Sequence, residues 1–354
     1  MSARRLWLLA HRWLALALGV PLAFVALVGT ALTVAKPLDQ WAHPALFEAP
    51  SHAPLGERTL EQTRRSLVDE FGRGTTLIFR PPREAGDTLW VLVRGPWHGT
   101  VYIDPASARE LGRRGEHDGA YNLLFELHSS LLLDDAGKVL LAALAGTYLV
   151  LLASGLVVWW PRHWRHAWRV ELRRGALRAL FDLHRAGGSL LGVLVAVIVA
   201  SGAYMAWRPI SLAVTAVSGA DAVQPPAVVL TPSGERLALD DAVRRARGML
   251  AEGMVGYVLV PASDSQPLRV RLKLPDDPHP NGLSSVWLHP ISGQVLTVHR
   301  WDTLDPGARA FTVIYPLHTG ELGGVAHTIL NALLGLVLVA FAVTGVWLWC
   351  KRRG

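Results

Sequence analysis

Four long runs of uncharged, mostly apolar residues interrupt this chain. Each has about 20 residues or more, the length at which a helix crosses a hydrocarbon core of ~30 Å. No other stretch of the sequence comes close to that length. The pattern therefore predicts four transmembrane helices, which we place at residues 13–35, 139–160, 186–207 and 325–350.

Two long segments, 36–138 and 208–324, separate these runs and have a different pattern. Each contains a short amphipathic stretch that predicts a helix, followed by alternating apolar and polar residues typical of half-buried strands. The clearest alternation lies at 89–93 and 268–274. We therefore predict an all-α four-helix transmembrane bundle that carries two α+β domains.

Charge adds an orientation to this topology. The 354 residues are 51% hydrophobic and 18% charged, with a net charge of +7. Lys and Arg are concentrated in the stub 1–12, the short loop 161–185 and the tail 351–354. Because basic residues favour the cytoplasmic side, we expect both termini in the cytoplasm and both α+β domains outside, which is the periplasm in a Gram-negative cell. The positive charge follows from topology, so the expected partner is a lipid bilayer and not a nucleic acid.

The first apolar run and the only cysteine need a separate interpretation. The run is longer than the apolar region of a signal peptide, which has about 7–15 residues, so we interpret it as a retained anchor. Cys350 lies at the cytoplasmic end of the last run. A single thiol excludes an internal disulfide and a cysteine-ligated metal cluster.

The two halves of the chain repeat each other. In both, a His-Arg pair precedes the first apolar run, and a glycine follows the histidine by eight residues. A Leu-His-Ser or Leu-His-Thr turn precedes the second run, which closes with Ser-Gly or Thr-Gly and a tryptophan-rich end. The repeated unit is therefore helix, small α+β domain, helix. The matching positions are 9–12 and 182–185, 127–129 and 317–319, and 154–155 and 344–345.

Four of the fourteen histidines occupy matching places in this repeat: His11, His128, His184 and His318. Each stands at the mouth of an apolar helix, where ionisable side chains are costly and tend to be functional. His11 and His128 lie at opposite ends of a span about 30 Å long, so they cannot share a metal ion. The topology leaves His11 with His184 on the cytoplasmic side and His128 with His318 on the outer side.

Two imidazoles suit a haem iron better than zinc. Structural zinc takes four protein ligands and catalytic zinc usually three, and no Cys or acidic residue stands beside these histidines in the spans. Two axial imidazoles complete a six-coordinate porphyrin iron, which then carries electrons and does not bind oxygen. We therefore predict His11, His128, His184 and His318 as haem ligands, with His327 as the substitute for His318. Small residues nearby would let a porphyrin approach the backbone, namely Ala15, Gly19, Gly188 and Gly192.

These motifs, in this order and duplicated, resemble those of the PepSY-associated transmembrane proteins over nearly the whole chain. That family, also described as iron-regulated membrane proteins, includes haem-containing ferric-siderophore reductases. The resemblance implies a bacterial inner-membrane protein with PepSY-like external domains and two b-type haems. It also implies an oxidoreductase that passes electrons to a ferric siderophore or another ferric chelate. Some members carry a fused flavin reductase domain; since this sequence ends just after the last apolar run, we expect a separate, unidentified electron donor.

Two alternatives stay open at this point. In the first, the PepSY-like domains bind a periplasmic peptide or protein, and the spans serve as an anchor or sensor without haem. In the second, the protein is a cytochrome b subunit that exchanges electrons with quinone.

For contacts with a ferric chelate, the candidates are the aromatic residues Trp287, Trp301 and Tyr315.

Overall fold

The chain forms two compact units, each assembled from separated stretches of sequence. The computed structural model describes residues 2–50, 54–161, 163–229 and 234–351, so the predicted tail 351–354 lies outside the described residues except for Lys351. We call the two units the membrane unit and the sheet unit. The membrane unit comprises Met1–Ala35, Leu124–Ile210 and Leu317–Gly354, and the sheet unit comprises Lys36–Leu123 and Ser211–Pro316.

The helices are numbered in chain order. They are α1 (Ala3–Ala42), α2 (Pro44–Phe47), α3 (Thr59–Phe71), α4 (Ala120–Ser130), α5 (Asp134–Trp159), α6 (Ala176–Leu190), α7 (Gly192–Ala206), α8 (Arg208–Val217), α9 (Leu239–Met249), α10 (Pro306–Thr319) and α11 (Gly324–Lys351).

Among the described residues, three helical stretches are long and apolar enough to cross a membrane: α1, α5 and Glu321–Lys351, which contains α11. The predicted third span is instead a pair of helices, α6 and α7, bent by 59°. Counted as one broken span, the pair makes a fourth. The break follows Gly187, Gly188 and Ser189, and small residues of this kind permit a sharp kink.

The membrane unit buries little of its apolar surface. Its core is a short list of side chains that includes Tyr148, whose hydroxyl donates a hydrogen bond to the carbonyl of Gly192 (3.0 Å). Many other apolar side chains are exposed, as Val20 is by 63% and Val343 by 56%. A large exposed apolar surface on helices of this length is typical of a surface in contact with lipid. The buried core comprises Leu22, Tyr148, Leu151, Val195, Leu334 and Leu338.

The two predicted α+β domains form one continuous antiparallel sheet, which corrects the expectation of two domains. Its strand order is β4-β3-β2-β1-β5-β6-β7-β8, and β1 pairs with β5 from Leu77↔Val260 to Phe79↔Val258. The pairing satisfies backbone groups that would otherwise lie unpaired on two sheet edges. The strands are β1 (Thr76–Arg80), β2 (Leu89–Arg94), β3 (His98–Ile103), β4 (Glu110–Gly115), β5 (Met254–Val260), β6 (Leu268–Lys273), β7 (Ser284–Leu288) and β8 (Val295–His299).

Helices α3 and α9, one from each half, pack on the same face of this sheet and share its apolar core. Each helix supplies a carboxylate that caps the other. The Asp240 carboxylate accepts a hydrogen bond from the backbone N–H of Glu61 (3.0 Å), and the Glu61 carboxylate accepts one from the backbone N–H of Leu239 (3.2 Å). Carboxylates at helix N-termini satisfy free N–H groups and the helix dipole.

Glu61 also holds two arginines of its own helix. Its carboxylate accepts hydrogen bonds from Arg64 (2.9 Å) and Arg65 (2.8 Å). Burial by itself raises the pKa of Glu61, but these hydrogen bonds outweigh it and hold the pKa below its usual value. The carboxylate is therefore charged at neutral pH, as the buried Arg64 beside it requires.

Candidate metal centres

His128 and His318 face each other inside the membrane unit, near the C-terminal ends of α4 and α10. Their ring centroids lie 5.9 Å apart and the ring planes are inclined by 26°. Two collinear metal–nitrogen bonds of about 2 Å each place two imidazole centres about 6 Å apart. The spacing therefore suits two axial ligands of one iron.

The hydrogen bonds of His318 define which ring nitrogen is available. Its Nδ1 lies 3.1 Å from the carbonyl oxygen of Ile198 and 3.0 Å from Oγ of Ser201. The Ser201 hydroxyl donates its own proton to the Ile198 carbonyl (2.7 Å), so it accepts from the ring. Nδ1 therefore carries the proton, and Nε2 has its lone pair free for a metal.

The same arrangement supports the other three histidines. His11 Nδ1 donates to the carbonyl of Leu151 (3.1 Å) and to Oγ of Ser154 (2.9 Å). His184 Nδ1 donates to Oγ1 of Thr344 (2.8 Å). His128 Nδ1 donates to the carbonyl of Val25 (3.0 Å). Its half-span has Val28 where the other three have Ser154, Ser201 or Thr344, so no hydroxyl at this position accepts from the ring. In all four rings the hydrogen bonds within the described residues are made by Nδ1, which leaves Nε2 for a ligand.

A glycine follows each of these positions and contacts the imidazole ring. A Cβ added to the glycine would stand 2.5 Å from Cε1 of His128 at Gly29 and 2.8 Å from Cε1 of His318 at Gly202. The corresponding distance to His11 is 3.2 Å at Gly155, and to His184 it is 3.8 Å at Gly345. Helices without a side chain at these points let the rings approach the backbone.

Each histidine is hydrogen-bonded by residues of its own half of the duplication. The facing rings of His128 and His318, by contrast, come from different halves. His128 on α4 contacts α1, and His318 on α10 contacts α7. The structure therefore brings together His128 and His318 from opposite halves, whereas the pairing of His11 with His184 stays a prediction.

A polar residue of α11 holds the end of α10 that carries His318. The buried Asn331 donates hydrogen bonds from Nδ2 to the carbonyls of Leu317 (2.9 Å) and His318 (3.0 Å). Helix C-terminal carbonyls lack intrahelical partners, so Asn331 fixes this end and, with it, the position of the imidazole. His327 lies at the start of α11, half-exposed, and among the described residues no hydrogen bond orients its ring.

The donor sets suit a haem and do not suit a zinc ion. Within the described ranges, no group of three or more His, Cys, Asp or Glu side chains could hold a metal ion. Each pair instead offers two imidazoles with oriented Nε2 atoms, which is the ligand set that a porphyrin iron needs above and below its plane. The spacing of His128 and His318 therefore fits one bis-histidine haem, and the rings of His11 and His184 are held through Nδ1 in the same way.

The sequence profile of the PepSY-associated TM region matches residues 8–352 of the chain. The chain belongs to the PepSY-associated transmembrane family. The match covers both halves of this PepSY-associated transmembrane protein and thus all four histidines. With its apolar helices, it makes the chain a multi-pass membrane protein. No curated protein matches the chain.

Several supporting residues of the family member were not predicted from its sequence. Of the glycines expected beside a porphyrin, Gly19 and Gly192 contact other side chains, and Gly188 has no neighbour within 4 Å. The histidines contact Gly29, Gly155, Gly202 and Gly345 instead. A signal existed, because Ser201-Gly202 repeats the pairs at 154–155 and 344–345. Val28-Gly29 lacks the hydroxyl and gives no such signal.

The aromatic candidates for chelate contacts lie in the sheet unit. Trp287 and Trp301 have buried indole N–H groups without a hydrogen-bond partner among the described residues. The Tyr315 ring centroid lies 4.4 Å from that of His279. Burial, followed by three nearby cationic side chains, lowers the pKa of His279 to about 3, so this imidazole is neutral.

Proposed function

We propose that this protein is a di-haem membrane oxidoreductase that reduces a ferric chelate. The observation that carries the proposal is the pair of facing imidazoles, His128 and His318, whose Nδ1 atoms donate hydrogen bonds and whose Nε2 atoms are available. His11 and His184 have the same type of support and would hold the second haem. When bound, b-type haem supplies a one-electron Fe(III)/Fe(II) couple.

The protein's own residues would bind and orient the two cofactors. Ser154, Ser201 and Thr344 keep the protons of His11, His318 and His184 on Nδ1. A hydrogen-bonded Nδ1–H makes the imidazole a stronger donor through Nε2. Two imidazoles that hold one haem iron would leave no open position for oxygen, which would suit electron transfer.

The proposed overall reaction balances with a donor of the quinol or reduced-flavin class. One such donor gives up two electrons and two protons, and two chelated Fe(III) ions become Fe(II). Oxygen-donor chelators hold Fe(II) less tightly than Fe(III), so reduction would release iron. The chelate is proposed because ferric-siderophore reductases belong to the family that the repeated motifs resemble.

Absorbance of the purified protein tests the proposal directly. We expect a red protein with a reduced α-band, two haems per chain by pyridine haemochrome, and re-oxidation of the reduced protein by a ferric chelate without oxygen. A ferrous-specific chromophore should then detect Fe(II). A colourless protein would contradict the proposal and favour an anchor or sensor for a peptide or protein. Block of haem reduction by quinone analogues, with no effect of ferric chelates, would favour a cytochrome b subunit.

We also propose that both termini lie in the cytoplasm of a bacterial inner membrane. The support is the basic loop 161–185, whose Lys/Arg excess favours the cytoplasmic side. Reporter fusions at Gly175 should report a cytoplasmic location, and fusions at Gly219 an external one. The reverse result would overturn this orientation.

A further inference from the structure

Strand β6 presents three cations on one face of the sheet. The burial of β6 alternates, and its leucine and valine residues lie in the apolar core under α3 and α9. Arg269, Arg271 and Lys273 therefore lie on the opposite face. All three are half-buried, and among the described residues no carboxylate forms an ion pair with any of them. Half-buried cations without an ion-pair partner are costly.

Two of the three cations have a structural task. Arg271 donates to the carbonyl of Gly282 through Nε (3.1 Å) and a terminal amino group. Lys273 donates to the carbonyl of Asp277. Both contacts hold the loop between β6 and β7, so the positions of these two side chains are explained by the fold.

Arg269 has no such task for its terminal amino groups. Its Nε donates to Oγ of Ser285 (2.9 Å), and its two terminal amino groups have no hydrogen-bond partner in the described part of the chain. Burial, and then the charge of Arg271, lower the pKa of Arg269 to about 9. The guanidinium is thus charged at neutral pH, and among the described residues no carboxylate forms an ion pair with it.

Trp287 lies directly beside Arg269 on the neighbouring strand. The two residues are register partners of β6 and β7, and the guanidinium carbon lies 4.7 Å from the indole centre. Trp287 is only 9% exposed, and its Nε1–H has no acceptor among the described residues. A buried N–H without an acceptor is destabilising. The two neighbours therefore combine a positive charge without an ion-pair partner, N–H donors without acceptors among the described residues, and an indole ring that packs against the guanidinium.

We propose that Arg269 and Trp287 bind the ferric chelate, and that its class is an anionic complex with aromatic oxygen donors, such as a tris(catecholate). This inference rests on the proposed function and adds the substrate class to it. The guanidinium would donate two parallel hydrogen bonds to the anionic oxygens. The indole N–H would donate a third, and the stacked guanidinium and indole would contact the catechol rings. A neutral tris(hydroxamate) complex offers neither the charge nor the rings.

Gallium complexes measure binding without electron transfer, because Ga(III) has the charge and nearly the size of Fe(III) and is not reduced. The full-length protein in detergent would be titrated with Ga(III) tris(catecholate) and, separately, with Ga(III) tris(hydroxamate), and the dissociation constants measured by calorimetry. We expect the wild type to prefer the catecholate complex. Arg269→Gln should weaken it by about tenfold or more, the value of a charged hydrogen bond, and Trp287→Phe by about threefold.

Two further variants control for folding and for general charge. Arg269→Lys keeps the positive charge and should retain more affinity than Arg269→Gln. Arg247→Gln removes an exposed arginine of α9, which packs on the other face of the sheet, and should leave binding unchanged. Equal affinity in the wild type and Arg269→Gln, or an equal loss for both gallium complexes, would overturn the proposal. Gallium catecholate binding that depends on Arg269 in a protein without haem would support this site and contradict the proposed function.

Discussion

The membrane unit and the sheet unit join the two halves of the duplication in different ways. In the sheet unit, the halves contact each other directly: β1 pairs with β5, and Glu61 and Asp240 cap each other's helices. Their apolar side chains form one core. In the membrane unit, the core is small, and the four histidines are hydrogen-bonded within their own halves, while His128 and His318 face each other across the halves.

This difference indicates where a haem, if the proposed function holds, would contribute to stability. The sheet unit has the backbone pairs, caps and core that a soluble fold needs, whereas between His128 and His318 the spacing of 5.9 Å is wide enough for a metal ion. Ligands that bind only the folded state stabilise it. We therefore expect haem to link the halves of the membrane unit and to have little effect on the sheet unit.

Replacement of a histidine should have the largest effect. His128→Ala or His318→Ala should remove one haem, or convert it to high spin, and leave the other haem six-coordinate, because each pair serves one iron. His11→Ala and His184→Ala should affect only the second haem. Combining both members of one pair should add little, whereas one mutation in each pair should leave no haem.

Pyridine-haemochrome stoichiometry and low-spin spectra on the four single variants measure this effect, with His327→Ala as the control that keeps both haems. Hydrogen exchange should show weaker protection in the membrane helices next to the lost haem and unchanged protection in β1 and β5. Two haems with unchanged spectra in His184→Ala would exclude it as a ligand. Loss of hydrogen-exchange protection in the sheet unit would contradict the expectation that haem stabilises only the membrane unit.

Replacing the glycines beneath the imidazole rings by alanine should have the next largest effect on haem content. The loss should be greater where the added Cβ would stand closer to the ring. Gly29→Ala should displace the His128 ring most, because the new Cβ would stand 2.5 Å from Cε1, whereas Gly345→Ala makes an ordinary contact with His184 at 3.8 Å. Haem content should therefore fall more in Gly29→Ala than in Gly345→Ala. Gly146→Ala on α5, where an added Cβ also has no neighbour within 4 Å, is the matched control. Equal haem content in all three would show that the rings do not depend on this contact.

Loss of the Glu61 carboxylate should destabilise the sheet unit alone. Glu61→Ala leaves the buried Arg64 without its partner, which costs about 3–5 kcal/mol, and should be seen as faster hydrogen exchange in α3 and α9. The depressed pKa of Glu61 means that its contribution is complete above its unfolded pKa of about 4.3 and is lost as the pH falls through the lower folded value. In Glu61→Ala, the stability of the sheet unit should therefore lack this decrease at acid pH.

Glu235→Ala provides the control for Glu61→Ala. Glu235 forms an ion pair with Arg65 but its side chain is 84% exposed, so its removal should change stability by less than about 1 kcal/mol. Haem content should be normal in both variants. Haem loss in Glu61→Ala would contradict the independence of the two units.

Substitutions that remove or add a hydroxyl beside a histidine Nδ1 should have the smallest effect, which is a shift in the reduction potential of the haem. Ser201→Ala removes one acceptor from His318 Nδ1 and should raise the potential of that haem by about 20–60 mV, the equivalent of one hydrogen bond of about 0.5–1.5 kcal/mol. Val28→Ser adds an acceptor for His128 and should lower the potential of the same haem. Redox titration measures both. If Ser201→Ala shifted the potential of one haem and Val28→Ser that of the other, His128 and His318 would not share an iron.

The sequence was sufficient to locate the apolar helices α1, α5 and α11, the duplication, and four histidines at matching places in it, whereas the predicted third span is the bent pair α6 and α7. Runs of uncharged residues are constrained by the hydrocarbon thickness alone, and the matching places of His11, His128, His184 and His318 follow from the repeat. Alternation in 89–93 and 268–274 also predicted β2 and β6, because a strand with one buried face has a period of two. Each of these features is encoded locally.

The tertiary structure decided how the halves meet. Neither the pairing of β1 with β5 nor the exchange of caps between Glu61 and Asp240 has a local signal, because the partners lie about half the chain apart. No local signal places Gly29 under His128 or Arg269 beside Trp287 either, although these partners lie closer together in the sequence. A sequence pattern shows which residues are apolar or ionisable. Which of them come within a few ångströms depends on how all the elements pack, and that is a property of the whole fold.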